Sequence, residues 1–210
     1  MQSTTALLGI VGAITVGAMS PGPSFVMVAR TAVAASRTAG LFAALGMGVG
    51  GLVLAIAALL GLHSLLLAVP SAYVTLKVLG GVYLVYLGLR MWRSSNRALV
   101  VAPSETAAAS GACRAFATAL ITQLSNPKAA VVYASVFAAF LPANTSLAFD
   151  AAVATAAFTV ESAWYAVVAL ALSSETPRSA YLRYKTWVDR AAGSVMLALG
   201  TRLMLSAHHA

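Results

Sequence analysis

The chain is short of charge. Only 9% of its 210 residues are Asp, Glu, Lys or Arg, and five acids stand against thirteen bases. A water-soluble domain of this length needs more charged side chains than that to cover its surface, so a soluble globular protein is excluded. Cysteine is nearly absent. Cys113 stands alone, which excludes an internal disulfide and a dithiol redox centre. Its place reads as a small residue at a helix start. Histidine is scarce too: His63, and the pair His208 and His209 at the end of the sequence. No second cluster at metal-ligand spacing accompanies them, so no metal and no cofactor is expected.

What the chain has in quantity is apolar sequence. Hydrophobic residues make up 60% of it and fall into six long segments: about Thr5–Thr31, Gly40–Leu67, Ser71–Trp92, Ala115–Leu141, Ala148–Ser173 and Val188–Ser206. Most reach or approach the roughly 18–20 residues that carry a helix across a bilayer. They are too long and too evenly apolar for alternating barrel strands. The start lacks the basic region of a cleavable signal peptide, and its hydrophobicity runs past residue 30. Pro70 and Ser71 read as a tight turn, and Pro142 ends the fourth segment.

The bases are arranged, not scattered. Arg30 and Arg37 follow the first segment. Arg90, Arg93, Arg97 and Arg114 border the loop after the third, and Arg178, Arg183, Lys185 and Arg190 the loop after the fifth. The loops after the second and fourth segments carry no Lys or Arg. This alternation is the positive-inside pattern. It places the first, third and fifth loops in the cytoplasm and both termini outside, and it assigns the net charge of +8 to topology and lipid headgroups rather than to nucleic acid.

Two internal similarities divide the chain. "GVYLVYLGLR" from Gly81 and "GSVMLALGTR" from Gly193 share a Gly, six residues, Gly, one residue, Arg pattern. "MSPGPSFVMV" (19–28) and "LSNPKAAVVY" (124–133) each set a serine before proline-containing breakers and an apolar run. The expected architecture is therefore an all-α membrane protein of six transmembrane helices in one transporter domain, 1–210. Its halves, about 1–92 and 112–205, are joined by a cytoplasmic loop at about 93–113. Three spans per half give the halves opposite orientation, the inverted-repeat plan of secondary transporters. Spans one and four are expected to break, near Pro21–Pro23 and Asn126–Pro127. Proline removes a backbone donor and clashes with the preceding turn. The freed backbone groups are tolerated where they line a cavity, and the half-helix N-termini there can hold a carboxylate.

At these residues the sequence resembles the lysine exporter (LysE/RhtB) family of amino-acid effluxers. The likeness rests on "SPGPSFVMVAR", "SRTAGLFAALGMGVG", "LKVLGGVYLVYLGLRMW", "LSNPKAAVVYASVFAAFLP" and "AAGSVMLALGTRLML", in order and over nearly the whole chain. It implies export of amino acids or close derivatives across a bacterial cytoplasmic (inner) membrane, coupled to protons. Pro21, Gly22, Pro23, Asn126, Pro127 and Lys128 fall on the family's marked positions. Many members carry an aspartate where this chain has Gly51.

The remaining candidates come from charge and polarity at membrane depth, where an ionisable group costs several kcal/mol. Glu161 lies mid-way along the fifth span. The half-repeat offset puts it opposite Gly51, so that one half supplies the acid the other lacks. It is the proton-coupling candidate, with an ion pair to Lys128 as its structural alternative. Ser20, Gln123 and Asn126 are polar groups beside the breaks and join Pro21, Gly22, Pro23, Pro127 and Lys128 as the expected substrate site. Lys128 faces the substrate carboxylate or reaches toward an interface, as Lys77 does near an outer end. Trp164 and Tyr165 wall the pocket or pack. Gly46, Gly50, Gly80, Gly81 and Gly88 allow close helix contact.

The expected partners are a small amino acid, protons and lipid, with a homodimer left open and no nucleic acid. A serine hydrolase would want a buried Ser–His pair, and His63 lies near an outer end. Few Cys, His or Asp in the spans make a poor divalent-cation site. Export of another small solute or ion on the same fold remains the alternative.

Overall fold

A computed structural model describes residues 2–20, 22–68, 70–96, 111–142, 144–173 and 175–207. Among them the structure is all helical: α1 (Gln2–Met19), α2 (Pro23–Ala34), α3 (Arg37–Ala68), α4 (Pro70–Ser94), α5 (Ala112–Leu124), α6 (Pro127–Phe140), α7 (Leu147–Leu172) and α8 (Glu175–Ala207). Pro21, residues 97–110 of the expected cytoplasmic loop, and His208 and His209 lie outside the described residues, as do the side chains of His63 and Lys77.

Local chemistry sets most boundaries. The Ser36 hydroxyl accepts from the backbone N–H of Ala39 at 3.0 Å and starts α3. The Ser146 hydroxyl accepts from Phe149, and Asp150 in the first turn of α7 complements the helix dipole. Pro23 and Pro127 stand at the first positions of α2 and α6, where a missing N–H costs nothing. Pro70 likewise opens α4 rather than sitting in a turn, and α8 begins well before the expected Val188, carrying all its charges but Arg202 in its first half.

Both expected breaks are present. α1 and α2 meet at 58°; α5 and α6 are separated by Ser125 and Asn126. Among the described residues, α3 (over Arg37–Leu62) and α7 are each long and apolar enough to cross a membrane, with a third crossing if α1 and α2 count as one bent span. About half of the α3 stretch is buried inside the protein. Phe42, Leu45, Val53, Ile56 and Leu60 form an exposed apolar stripe along it, a surface fitted to hydrocarbon rather than water.

The interior holds two apolar cores. One gathers Ile10 and Ile14 of α1, Ala55 and Leu59 of α3, Val132 and Phe137 of α6, and Val153 and Ala157 of α7, with Leu84 and Met196 of α4 and α8. The other gathers Phe25 and Val28 of α2, Ala43 and Met47 of α3, Ala115 and Ala119 of α5, and Tyr165 and Val168 of α7. The cores meet at one level of the bundle. There α3 passes from Met47 to Ala55 through Gly51, and α7 from Ala157 to Tyr165 through Glu161. Beside them α1 ends at Met19 and α2 begins at Pro23, and α5 ends at Leu124 and α6 begins at Pro127.

Glycine governs the helix contacts. A Cβ on Gly46 would strike the Phe116 carbonyl, one on Gly50 the Gln123 side chain, and one on Gly80 the Ser135 hydroxyl. α4 and α8 pack closest, through the two similar segments. A Cβ on Gly81 would lie 2.8 Å from the Gly200 carbonyl oxygen and one on Gly200 would lie 2.6 Å from the Gly81 carbonyl oxygen. Gly88 and Gly193 face each other in the same way, at 2.7 and 2.9 Å. First glycine meets second, and second meets first, in an antiparallel pair.

Candidate functional site

The polar groups of the bundle collect where the two cores meet. Ser24, in the first turn of α2, donates its hydroxyl to Gln123 Oε1 of α5 at 2.6 Å. It accepts from Asn126 Nδ2 at 2.9 Å. Asn126 Oδ1 in turn accepts the backbone N–H of Lys128 at 3.0 Å and so caps α6. All three side chains are buried. One row of hydrogen bonds thus ties the two breaks together and satisfies amides that an apolar interior would otherwise strand.

Lys128 makes contacts that the sequence alone did not point to. Its ammonium donates to the carbonyls of Ser20 at 2.7 Å and Gly17 at 3.2 Å. These are acceptors at the broken C-terminal end of α1, where the last turn lacks helical partners and the dipole is negative. The ion pair between Lys128 and Glu161, the structural alternative for that acid, is absent; among the described residues the one ion pair joins Lys185 to Asp189, at 2.6 Å within α8. The reason is local: the carbonyls released by the first break lie within the ammonium's reach and take its hydrogen bonds.

Glu161 is 4% exposed. Its Oε1 accepts from the Tyr133 hydroxyl at 3.3 Å, and its Oε2 has no hydrogen-bond partner. Gly51 faces it as the half-repeat offset expected: a Cβ on Gly51 would lie 2.8 Å from Glu161 Cγ and 2.9 Å from the Tyr133 hydroxyl. A small chamber of about 20 Å³ lies here, lined by Glu161, Tyr133, Tyr165, Ser24, Gln123, Asn126 and Lys128 among others. It has room for about one water. Trp164 packs against the second core instead of lining the chamber.

A second cavity, of about 540 Å³, lies beyond the breaks, bounded by Ser20, Gly22, Pro23, Asn126, Pro127 and Lys128 and by one face of α4. Asn126 and Lys128 border both spaces. The structure therefore gathers Ser20, Gly22, Pro23, Gln123, Asn126, Pro127, Lys128 and Glu161 into one region of adjoining cavities. Sequence reasoning missed Ser24 and Tyr133. The available signals were a serine directly after the Pro-Gly-Pro breaker and a lone tyrosine in a half-helix of small residues. Among the described residues no group of His, Cys, Asp and Glu could hold a metal ion, and Cys113 is exposed near the start of α5.

Residues 15–207 match the family model described as LysE type translocator. The threonine efflux protein of Salmonella typhimurium is 36% identical over 195 residues, covering 91% of this chain and 93% of that protein. The threonine efflux protein of Escherichia coli K12 is 33% identical over 192 residues, with the same coverage. The leucine efflux protein of Salmonella choleraesuis is 33% identical over 132 residues, 63% of this chain. No solved structure matches. The chain, all helical over its described residues, with apolar spans, two helix breaks and polar cavities between them, thus belongs to the LysE type translocators, a family of membrane transporters with amino-acid efflux proteins among its members.

Proposed function

We propose that the protein exports amino acids or close derivatives from the bacterial cytoplasm by proton antiport, as a six-span carrier of two inverted halves. The observation that carries this reading is Glu161: a buried carboxylate with one oxygen unpartnered, at the level where two spans break. The reciprocal contact of Gly81 with Gly200 and Gly88 with Gly193 supports the inverted halves, since a two-fold exchange of α4 and α8 maps one contact onto the other. The names of the relatives point to threonine and leucine as the first solutes to try.

In this reading the solute's ammonium and a proton compete for one carboxylate. An ammonium beside Glu161 holds it ionised; on release outward a proton takes its place and is carried back. Proton and amine never occupy it together, which couples the two flows in opposite directions. Tyr133 orients the carboxylate, and the Ser24–Gln123–Asn126 row stands between it and the large cavity. In the conformation described the chamber is too small for an amino acid, so the row must part for the amine to arrive.

Everted vesicles, whose cytoplasmic face is outward, test this directly. With an acid lumen the wild-type protein accumulates threonine or leucine. Glu161→Gln, alike in size and unable to ionise, inserts normally and loses accumulation driven by the pH gradient. Wild-type accumulation by Glu161→Gln, with the same dependence on the gradient, makes Glu161 a packing partner only.

A further inference from the structure

The large cavity asks for an occupant of its own. Its floor is the pair of breaks, and its wall is a face of α4 on which Tyr83, Leu87, Arg90 and Ser94 recur at helical spacing. The Tyr83 and Tyr86 rings lie side by side, with centroids 6.1 Å apart. Arg90, Arg93 and Lys128 line the space, and no carboxylate does among the described residues. The first turns of α2 and α6 abut it through Gly22, Pro23, Asn126 and Pro127, and each brings the positive end of a helix dipole. Among the described residues every charged side chain bordering the cavity is thus a cation, whereas the chamber behind Asn126 offers the carboxylate of Glu161.

Size separates the two spaces as sharply as charge does. The cavity of about 540 Å³ lies within the range of small-molecule sites, roughly 300–1,000 Å³, while the chamber of about 20 Å³ admits about one water. From Tyr83 to Ser94 the wall rises about 16 Å at the helical rise per residue, from the level of the breaks to the end of α4 that carries Arg90 and Arg93.

We propose that this cavity is a loading site for the α-carboxylate of the transported solute, with the Arg90 guanidinium as its recognising group, and that the solute rests there before its amine reaches Glu161. The proposal rests on the export reading above and adds to it a separate first site on α4. A guanidinium holds a carboxylate through two parallel hydrogen bonds. The neighbouring tyrosines offer ring faces and hydroxyls to the ammonium at the other end of the zwitterion. On the positive-inside pattern the Arg90 end of α4 is cytoplasmic, so the conformation described is the one that loads.

The test uses Ser94→Cys, at the mouth of the cavity, in full-length Cys113→Ser protein in everted vesicles. Its reaction with a sulfonate-bearing thiosulfonate is compared with that of a trimethylammonium-bearing one. The expected result is faster reaction with the anionic reagent, slowed by L-threonine and not by L-threoninamide. Arg90→Gln removes that protection and raises the KM for threonine about tenfold with little change in kcat, the loss of a charge-assisted hydrogen bond. Arg90→Lys keeps the charge, and with it membrane topology and the preference for the anionic reagent, but not the protection, because an ammonium lacks the fork. Equal reaction with both reagents overturns the site, as does protection that survives both Arg90 variants. If the anionic preference stands while none of twenty amino acids protects or is exported, the export reading falls and the anion site remains.

Discussion

Gly51→Ala adds a single methyl group to α3 at the level of Glu161. The new carbon would lie 2.8 Å from Glu161 Cγ, 2.9 Å from the Tyr133 hydroxyl and 3.4 Å from Glu161 Cβ. Carbon atoms in good contact stand about 3.5–4.0 Å apart, so α3 and α7 must part, or Glu161 and Tyr133 must shift. Neither shift is free. Cγ is an inner atom of its side chain, the tyrosine ring is rigid, and Glu161 and Tyr133 are 4% and 2% exposed. Overpacking of this kind costs about 1–3 kcal/mol, and the first bond to go is the 3.3 Å hydrogen bond from Tyr133 to Glu161. If that geometry positions the carboxylate for amine and proton, transport falls about five- to a hundredfold while insertion persists. Gly12→Ala is the control, because a Cβ there meets nothing within 4 Å. Threonine accumulation in everted vesicles with an acid lumen is measured beside thermal unfolding in detergent. Wild-type transport by Gly51→Ala would refute the reasoning, since the carboxylate's placement would then not matter to the flux.

Two further substitutions probe the frame around the site. Lys128→Met removes the ammonium from the Ser20 and Gly17 carbonyls and should cost about 1–3 kcal/mol of stability, read as a lower unfolding temperature in detergent; an unchanged temperature would deny the lysine its capping role. Gly200→Ala places a carbon 2.6 Å from the Gly81 carbonyl oxygen and 2.8 Å from the Val85 backbone nitrogen. Backbone atoms cannot rotate aside, so a larger loss than at Gly51 is expected, seen as reduced monodisperse protein on size exclusion.

The parts of the site that were legible in the sequence act locally. Pro23 and Pro127 cannot stand inside a long helix without breaking it, so both breaks could be placed from the chain alone. Glu161 announced itself as a lone acid in a long apolar run. Gly51 was paired with it through the half-repeat offset expected from two similar pairs of segments. What escaped depends on contacts between different helices, 28 positions apart for Tyr133 and Glu161 and 99 or more for the groups at the breaks. That Ser24 would sit between Gln123 and Asn126, or that the α1 carbonyls would claim Lys128, follows from how four half-helices meet, which no spacing reports. Arg90 was read only as a topological charge, because the cavity that gives it a neighbourhood exists only in the packed bundle. The Lys185–Asp189 pair, four residues apart on α8, was visible in principle and was absorbed into the same topological tally.

The glycine crossing of α4 and α8 bears on which parts of the carrier can move. Two helices whose carbonyl oxygens lie within about 3 Å of each other's missing side chains, at two points a double turn apart, have no room to slide or roll past one another. A displacement along the axis would drive Val85 or Leu197 into the opposing backbone. The pair is therefore a single lever, and α4 can bring its arginine wall toward or away from the breaks only by carrying α8 with it. Any opening or closing of the large cavity that displaces α4 is therefore a joint movement of α4 and α8.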